Sequence, residues 1–378
     1  MDLAATTVFF LCLLWITIPY LWYPLWQLAF PGKPLVINPP TFFPKVSVVF
    51  AAYNERTIIE EKIRSIFASQ YPQDLIEVWI GSDLSDDGQD DIIRELQKEY
   101  PGLHLHINAQ RSGKSATINR LVELCTGEII VATDANIIFD EYTLVELAGP
   151  IISSQATAVA GTLTYGKAKT TGTTATTERQ YLTIENKIRQ SESQKYGFCL
   201  GMEGGLYSMR KSAWQPIPPL TFMEDFFQTV QLIQNDQQIY YSDTAFGYED
   251  VSTSLQEEFK RKKRISIGNY QNLKRFRGLL LKKAYPFGWI FLFHKILRWT
   301  TPQALLIGVL ALIFTPFALP TFMGVAVLLS LELLFYRGAG PLVYFCAMNL
   351  AMLQGYLTYL QGVSSSAWQP TKRNQNEL

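Results

Sequence analysis

Residues 129 to 136, Ile-Ile-Val-Ala-Thr-Asp-Ala-Asn, decide the fold, because a short apolar run here ends directly in an acidic turn. The run is continuous and rich in β-branched residues, which predicts a strand. The same pattern precedes it at residues 46–51 (VSVVFA) and 76–80 (IEVWI). Between these runs, residues 58–67 and 116–124 carry apolar side chains at helical spacing. We therefore expect an α/β domain with a mostly parallel sheet and helices on both faces.

Acidic residues follow two of the predicted strands. Asp83 lies just beyond the IEVWI run, in the sequence GSDLSDDG, and Asp134 lies just beyond IIVA. In parallel α/β sheets, ligands bind outside the carboxyl ends of the strands. The sequence therefore predicts a binding site at this edge. For Asp83 a second interpretation stays open, because Asp in a turn rich in Gly and Asp often only caps backbone donors.

Three further signatures carry charge at or near helix starts. Lys114 opens a helix in SGKSATIN, where it would neutralise an anion at the helix N-terminus; a solvated surface lysine is the alternative. Glu224 and Asp225 open an amphipathic helix in FMEDFFQ, where acidic side chains also complement the helix dipole. Arg261 and Arg264 lie in KRKKRIS, a basic run that suits a diphosphate or the anionic headgroups of a membrane. Together these residues indicate a nucleotide-diphosphate site with a metal, a base and a cationic clamp.

From about Val46 to about Gly278, the motifs resemble the family 2 glycosyltransferases, the membrane-bound inverting type that includes cellulose, hyaluronan and poly-N-acetylglucosamine synthases. SDLSDDG is similar to the family pattern D-D-G-S-T-D-G, with Ser82 in place of the first Asp, and AYNE is similar to A-x-N-E. DAN stands where the family has D-x-D, and MEDF matches T-E-D. KRKKRIS resembles Q-x-x-R-W, with Arg261 for Gln and Ile265 for Trp.

The resemblance implies a nucleotide-sugar-binding domain of the GT-A type. It also implies that Asp225 is the catalytic base, with Glu224 beside it. Asp134 and Asn136 would bind a divalent cation, Mg²⁺ or Mn²⁺, although Asn136 replaces the charged second residue of D-x-D. The residues implied to bind the donor nucleotide are Tyr53, Glu55, Asp83, Lys114 and Asp134, and those implied to clamp its diphosphate are Arg261 and Arg264.

Hydrophobic segments flank the polar middle of this 378-residue chain. Residues 3–30 carry no charge and are long enough to cross a bilayer, and no basic region precedes them as in a cleaved signal peptide. The predicted organisation is an N-terminal transmembrane helix (1–32), a GT-A glycosyltransferase domain (45–278), an amphipathic interface helix (279–300), two or three transmembrane helices (301–363) and a polar tail (364–378).

The distribution of positive charge predicts the orientation. Lys33 and Lys45 follow the first predicted span, and ten Lys or Arg residues lie between Lys260 and Lys283. Because such residues are enriched in cytoplasmic loops, we expect an integral protein of the plasma or inner membrane with a cytoplasmic catalytic domain. The 33 acidic and 33 basic residues cancel, which argues against a nucleic-acid partner.

The expected reaction is inverting transfer of a sugar from a nucleotide sugar, a UDP-sugar by expectation, to an acceptor hydroxyl at the membrane face. Two acceptor classes stay open: a lipid carrier or glycolipid, or a growing polysaccharide. The second would require self-assembly into a homo-oligomer, or an export partner, because one chain has few membrane helices. The alternative hypothesis is a catalytically silent membrane scaffold that retains a nucleotide pocket, suggested by Asn136 and Ile265.

Overall fold

The computed structural model describes residues 3–37, 42–165, 173–249, 254–335 and 340–363. The tail predicted at 364–378 lies outside the described residues. The chain divides into two compact units. Of the described residues, the sheet unit comprises 31–37, 42–165, 185–249 and 363, and the helical unit comprises 3–30, 173–184, 254–335 and 340–362.

Both element types occur in the order that the sequence patterns suggest. The strands are β1 (Val46–Ala52), β2 (Ile76–Ser82), β3 (Leu103–Ile107), β4 (Ile129–Thr133), β5 (Ile138–Phe139), β6 (Ala158–Tyr165), β7 (Leu206–Arg210) and β8 (Ile239–Glu249). The α-helices are α1 (Leu3–Thr17), α2 (Tyr23–Ala29), α3 (Ile59–Phe67), α4 (Gln89–Leu96), α5 (Lys114–Leu124), α6 (Thr143–Ile152), α7 (Thr173–Tyr196), α8 (Glu224–Gln234), α9 (Leu255–Phe276), α10 (Leu279–Lys282), α11 (Leu297–Trp299), α12 (Thr301–Leu312), α13 (Ala318–Phe335) and α14 (Pro341–Gln361).

The first half of the sheet is parallel, as expected. Val46 of β1 pairs with Ile76 of β2 on one side and with Ile129 of β4 on the other, so the three apolar runs lie next to each other. Every residue of β1 and of β4 is buried. A parallel strand covered on both faces is continuously apolar, which is why these runs identified the strands.

The second half of the sheet corrects the prediction of a mostly parallel sheet. Among the described residues the strand order is β3-β2-β1-β4-β7-β6-β8-β5, and β7 is antiparallel to both β4 and β6. β6 and β8 are parallel, whereas β5 is antiparallel to β8. The sheet is therefore mixed. A short apolar run such as LYSMR predicts a strand but not whether it pairs parallel or antiparallel with its neighbours. That direction depends on the end of the sheet at which the preceding connection enters the strand.

Two helices pack on the sheet, and for one of them a glycine in the strand permits the close approach. α5 lies against β2 at Gly81, where a Cβ atom would stand 2.2 Å from the Thr117 methyl group. α6 buries Leu144, Leu147 and Ile151 completely. Because α5 packs so closely against β2, its position over the strands that carry the predicted site is fixed. The position of Lys114, the first residue of α5, is fixed with it.

In the helical unit, the stretch Leu3–Ala29 forms 27 helical residues, apolar enough to cross a membrane, and no other described helix combines that length and composition. Trp15 of this stretch donates a hydrogen bond from Nε1 to Thr300 Oγ1 at 3.1 Å, and a Cβ atom on Gly308 would stand 3.1 Å from Cys12 Cβ. α1 and α12 are therefore in close contact through small residues. The spans predicted at 301–363 correspond to α12, α13 and α14; that these helices cross a membrane stays a prediction.

The domain boundary at residue 278 stays a prediction; in the division into compact units, α9 belongs to the helical unit. α9 packs along α14: a Cβ atom on Gly355 would stand 2.4 Å from the Lys263 carbonyl oxygen, and Ser266 Oγ donates to the Met352 carbonyl at 2.7 Å. The Tyr270 ring contacts the Tyr356 ring with their centroids 4.5 Å apart. The charge pattern of α9 did not reveal this neighbour, since the buried face of α9 is largely polar.

The segment predicted as one interface helix at 279–300 is interrupted. α10 ends at Lys282, and the helical turns of residues 284–288 and 291–296 lead into α11, with the non-helical residue Tyr285 inside the first of these turns. Tyr285 has φ −131° and ψ 136°, an extended conformation that the following Pro286 favours on steric grounds. Leu281 and Tyr285 are 88% and 75% exposed, so apolar and aromatic surface does face outward here.

A buried carboxylate connects the amino-terminal ends of the parallel strands. Glu77 of β2 accepts hydrogen bonds from Ser47 Oγ at 2.5 Å and from the Thr126 backbone N–H at 2.8 Å. Lys45 Nζ lies 3.6 Å from Glu77 Oε1. Burial alone would raise the pKa of Glu77, but these hydrogen bonds and the lysine outweigh it and lower the pKa to about 2.

We predict that Glu77→Gln destabilises β1 and β2 by about 1.5 to 3 kcal/mol, the usual contribution of hydrogen bonds to a buried charge. Because the folded-state pKa of Glu77 is depressed, its contribution is present above about pH 5 and is lost as the pH falls towards 2. Amide hydrogen exchange of the two strands at pH 7 measures the effect. Glu95→Gln, at a side chain that is 72% exposed, is the control, and equal protection in the two variants would contradict the prediction.

Candidate active site

Three predicted site residues lie together at one edge of the sheet. Tyr53, Asp83 and Asp134 are the first residues after β1, β2 and β4, respectively. The β1–β2 register continues past the strands, since the Asp83 backbone N–H donates to the Ala52 carbonyl at 3.0 Å. The expectation from the sequence, that acidic residues meet at the carboxyl ends of parallel strands, agrees with this arrangement.

Asp83 is fully buried and organises the loop before α5. Its carboxylate accepts hydrogen bonds from Asn108 Nδ2 at 2.9 Å, from the Ser112 N–H at 2.7 Å and from the Gly113 N–H at 3.2 Å. Arg111 Nε also donates to it, at 3.1 Å. Asp83 thus caps backbone donors, but in a different loop from its own. Its predicted contact with a nucleotide stays a prediction.

A flat surface stands beside Asp83. The Arg111 guanidinium lies 3.4 Å from the centre of the Tyr53 ring, which is stacking distance. Aromatic rings and guanidinium planes both stack on nucleobases. The nearby Glu55 is half-buried, and its backbone N–H donates to Gln89 Oε1 at 2.9 Å. Arg111 was not predicted from the sequence, although it precedes Lys114 by only three residues.

Lys114 joins the ends of two elements. Its Nζ lies 2.6 Å from Asp134 Oδ1 and also forms an ion pair with Glu224. Gly113, with φ 82° and ψ 162°, turns the chain so that α5 begins at this lysine. Burial would lower the pKa of Lys114, but Asp134 and Glu224 outweigh it and raise the pKa, so the side chain is a cation. Three of the predicted site residues are therefore in direct contact.

Asp225 stands next to this ion-pair group and is 8% exposed. Its Oδ1 accepts a hydrogen bond from the Phe226 N–H at 2.7 Å, and a Cβ atom on Gly204 would stand 3.2 Å from Oδ2. Burial, followed by the charge of Glu224, raises the pKa of Asp225 to about 7. A carboxylate that titrates near neutral pH can accept a proton efficiently from a substrate hydroxyl.

The start of α8 is bent sharply by Met223, whose φ of 55° lies in the left-handed region. Non-glycine residues adopt this conformation rarely, and at functional sites the strain is held by the surrounding structure. The consequence here is that Glu224 and Asp225 both turn inward and are buried at the first turn of α8. A purely dipole-stabilising role would leave such side chains exposed.

The donor set around Asp134 suits a hard cation. Asp134 is 37% exposed, and the ammonium group of Lys114 already lies between its carboxylate and that of Glu224. The Asn136 amide, whose Nδ2 lies 3.5 Å from Glu249 Oε1, would add a neutral oxygen ligand. Within the described residues no three His, Cys, Asp or Glu side chains are grouped so that they could hold a metal ion by themselves. Mg²⁺ commonly uses one or two carboxylates together with substrate phosphates, which this set allows.

A buried lysine, Lys62, stabilises the Asp-Ala-Asn turn through hydrogen bonds to the residues on both sides of it. Lys62 Nζ donates hydrogen bonds to Thr133 Oγ1 at 3.0 Å and to the Ile137 carbonyl, the residues that flank the turn. The same ammonium lies 3.7 Å from the centre of the Phe139 ring. Burial lowers the pKa of Lys62, partly offset by Asp134. The sequence analysis missed Lys62, because its position within an apolar helix face was its only signal.

Arg261 and Arg264 lie on α9 in the helical unit. Arg261 Nη1 is 3.7 Å from Glu258 Oε2, and Lys262 Nζ is 3.1 Å from Glu258 Oε1. Glu258 itself is fully buried. The two arginines are thus part of a helix with its own internal ion pairs, and their role as a diphosphate clamp stays a prediction.

Residues 47–211 match the family described as glycosyl transferase family 2. The fold is of the GT-A α/β type with a mixed sheet, which confirms the fold type implied by the motifs.

Individual relatives agree with this assignment. The beta-monoglucosyldiacylglycerol synthase of Trichormus variabilis is 41% identical over 95 residues, which cover 25% of this chain and 20% of the relative. Glycosyltransferase AglD of Haloferax volcanii is 30% identical over 120 residues, 31% of this chain and 19% of the relative. The chain therefore matches about a fifth of the length of these curated relatives.

A solved structure is similar over nearly the whole chain. A mannosyltransferase from Pyrobaculum calidifontis, in complex with GDP-Man and Mn²⁺, superimposes with a TM-score of 0.70 at 20% identity, covering 94% of this chain and 99% of that one. At this identity the likeness establishes a common fold.

We predict that Lys62→Met lowers the thermal stability of the protein and weakens the turn that carries Asp134. The Ile137 carbonyl and the Thr133 hydroxyl would lose a buried donor, at about 1 to 3 kcal/mol for a group left unsatisfied. Thermal unfolding and nucleoside-diphosphate binding in the presence of Mn²⁺ measure the two effects. Lys98→Met, at a side chain that is 72% exposed, is the control and should match wild type. Unchanged stability of Lys62→Met would contradict the prediction.

Proposed function

We propose that this protein transfers a sugar from a nucleotide sugar to an acceptor hydroxyl at a membrane face, with inversion, and that Asp225 is the general base. The observation that carries the proposal is the buried Asp225 carboxylate, with its pKa raised to about 7, beside the ion-pair group of Lys114, Asp134 and Glu224. The family 2 domain at residues 47–211 supports the reaction class.

The proposed step is a direct displacement. Asp225 takes the proton of the acceptor hydroxyl while the hydroxyl oxygen forms a bond to the anomeric carbon of the donor. The bond between that carbon and the diphosphate oxygen breaks, and the nucleoside diphosphate leaves with the bonding electrons. A single base on the acceptor side is sufficient, because no covalent sugar–enzyme intermediate is formed. Attack from the face opposite the leaving group inverts the anomeric configuration.

The cationic side chains act on the leaving group. Lys114 supplies a fixed positive charge next to Asp134, where the departing diphosphate accumulates negative charge. Glu224 holds the lysine from the opposite side and keeps the ammonium oriented. Asp134 and Asn136 would hold Mg²⁺ or Mn²⁺, which when bound neutralises the diphosphate. The Mn²⁺ and GDP-Man of the mannosyltransferase structure support this choice of cofactor. Arg261 and Arg264 are proposed to clamp the diphosphate.

The donor nucleotide is proposed to bind against Tyr53 and Arg111, with Glu55 and Asp83 ordering the surrounding loops. The motif resemblance favours a UDP-sugar as donor. Because the similar mannosyltransferase binds GDP-Man, GDP-sugars are the first alternative donors to test. For the acceptor we favour a lipid carrier or glycolipid over a growing polysaccharide. The name of the beta-monoglucosyldiacylglycerol synthase relatives supports a lipid, as does the small number of apolar helices.

The membrane location rests on surface chemistry. The helical stretch Leu3–Ala29 is apolar and largely exposed, and Leu306 and Phe314, in and directly after α12, are 54% and 68% exposed. Such surface is costly in water and favourable in lipid. We propose an integral protein of the plasma or inner membrane with its catalytic domain on the cytoplasmic side, as the positions of Lys and Arg favour. A homo-oligomer or export partner would be needed only if the acceptor is a polymer.

A transfer assay tests the function. The purified full-length protein, in nanodiscs that contain native lipid extract, is incubated with radiolabelled UDP- and GDP-sugars, and lipid and polymer fractions are counted separately. Label in the lipid fraction supports the proposed acceptor, and label in polymer supports the alternative acceptor. Nucleotide binding without transfer of any sugar would instead support a membrane scaffold.

We predict that Asp225→Asn lowers the transfer rate by about 10² to 10⁴, the usual contribution of a general base. Nucleotide affinity should change little, because the base acts only as the acceptor loses its proton. The substitution is nearly isosteric, so insertion and fold should persist. Transfer kinetics and nucleotide titration on the same preparation separate the two effects. Equal transfer rates in wild type and variant would exclude Asp225 as the base.

The pH dependence provides a second prediction. Because the pKa of Asp225 is raised to about 7, the carboxyl is protonated and inactive as a base at lower pH. We expect kcat/KM to fall about tenfold per pH unit below about pH 7. The residual activity of Asp225→Asn should lack this acid limb. A wild-type profile that is flat from pH 5 to 8 would contradict the assignment.

A further inference from the structure

Arg189 is a buried cation that the proposed mechanism does not use. It lies on α7, in the part of that helix that belongs to the sheet unit, and is 2% exposed. Its Nη2 forms an ion pair with Glu203, and its Nε lies 4.0 Å from Glu185 Oε1, one helical turn earlier. Burial would lower the pKa of Arg189, but the two carboxylates outweigh it and raise the pKa. A buried ion pair adds little net stability, because desolvation offsets the attraction, so its place in the fold is the more informative feature.

The partner of Arg189 lies in the segment of residues 200–205, which leads into β7. Side chains of other elements hold the backbone of this segment at three points: the Leu200 N–H donates to Glu192 Oε2 at 2.8 Å, the Met202 N–H donates to Thr229 Oγ1 at 2.9 Å, and the Gly205 carbonyl accepts from Thr133 Oγ1 at 2.7 Å. Glu203 and Gly204 lie between the last two points. Their side-chain anchor is the Glu203 carboxylate, which Arg189 holds.

Gly204 brings this segment to the proposed base. A Cβ atom on Gly204 would stand 3.2 Å from Asp225 Oδ2, so the backbone lies directly against the carboxylate. Burial, and then the charge of Glu224, raises the pKa of Asp225, whereas Lys114 and the backbone N–H groups of Phe226 and Gly204 lower it. The Gly204 N–H belongs to the planar peptide group that follows Glu203. The placement of Glu203 therefore sets the direction of this N–H.

We propose that Arg189 is a positioning residue for sugar transfer: through the Glu203 carboxylate it fixes the peptide group whose N–H faces the Asp225 carboxylate. This inference rests on the proposed function, because it gives Arg189 a role in transfer only if Asp225 is the base. Arg189 acts on the base through two intermediates, the Glu203 side chain and the peptide group between Glu203 and Gly204. The length of the Glu203 side chain is thus as important as its charge.

Two substitutions at Glu203 separate the geometry of the ion pair from its charge. Glu203→Gln keeps the length of the side chain and an oxygen that accepts a hydrogen bond from Arg189, but it removes the charge. Glu203→Asp keeps the charge but draws the carboxylate back by about 1.5 Å, the length of one carbon–carbon bond. We expect Glu203→Asp to change the titration of the base and Glu203→Gln to stay close to wild type. A purely electrostatic effect of Glu203 on Asp225 would give the reverse order.

The measurement is the pH profile of kcat/KM for transfer by the full-length protein in nanodiscs with native lipid extract, with the UDP- or GDP-sugar that wild type uses. Loss of one N–H contact to the charged carboxylate should move the acid limb of Glu203→Asp up by about one pH unit. Transfer is then about tenfold slower at pH 6 and close to wild type at pH 9. Arg189→Lys keeps the charge but loses the planar fork, and it should move the limb in the same direction. Lys187→Met, at an exposed position of the same helix, is the control and should keep the wild-type profile.

A background without the base separates positioning from a general loss of structure. If Arg189 and Glu203 act through Asp225, adding Glu203→Asp to Asp225→Asn should lower the residual transfer rate by less than about twofold, because the two effects are not additive. A substitution that only disturbs the fold would lower the rate by the same factor in both backgrounds and at every pH.

The outcomes distinguish this inference from the proposed function. Wild type with an acid limb near pH 7 that Glu203→Asp leaves in place overturns the role of Arg189 and leaves the proposed function standing. The same holds if Glu203→Gln moves the limb further than Glu203→Asp does, or if Glu203→Asp lowers the rate equally in both backgrounds. Wild type that transfers no sugar, or whose profile is flat from pH 5 to 8, overturns both.

Discussion

The ion pairs of Lys114 hold the site together. Its ammonium contacts Asp134 at the end of β4 and Glu224 at the start of α8, so one side chain connects three separate elements. Without this cation, three carboxylates that include Asp225 would face each other in a poorly solvated space and repel. The four hydrogen bonds accepted by Asp83 fix the loop that delivers Lys114. The position of Lys114, and with it that of the neighbouring Asp225, therefore depends on a carboxylate that lies outside the ion-pair group.

Sequence patterns predicted the parallel half of the sheet and most of the residues at the carboxyl ends of its strands. Buried parallel strands are continuous apolar runs, so VSVVFA, IEVWI and IIVA located β1, β2 and β4, and the residues directly after them proved to share one edge. The reversed direction of β7 was not predictable in this way, because a five-residue apolar run contains no signal for orientation. The fold type was correct, but the proportion of parallel pairing was wrong.

Side chains that act through tertiary contacts escaped the sequence analysis for a different reason. Lys62 supports the Asp-Ala-Asn turn from α3, and Glu249 reaches Asn136 from the end of β8. The only local signal of Lys62 is its place in an apolar helix face, and the local sequence of Glu249 does not distinguish it from a surface charge. Their importance arises from burial and from partners 71 and 113 positions away, which only the folded chain reveals. The same limitation explains why the packing of α9 on α14 was not predicted.

There is little room for a side chain at position 204, and the same limit applies to other chains with this architecture. A Cβ atom there would stand 3.2 Å from Asp225 Oδ2 and 3.5 Å from Lys114 Nζ, so the Asp225 carboxylate and the Lys114 ammonium occupy the space that a side chain would fill. An alanine would require small shifts, and a branched residue would displace one of the two charged groups. A homologous domain with an acidic pair like Glu224–Asp225 but a branched residue at this position must hold the second carboxylate of that pair in another place. The glycine is thus a sequence marker for this particular arrangement of charges.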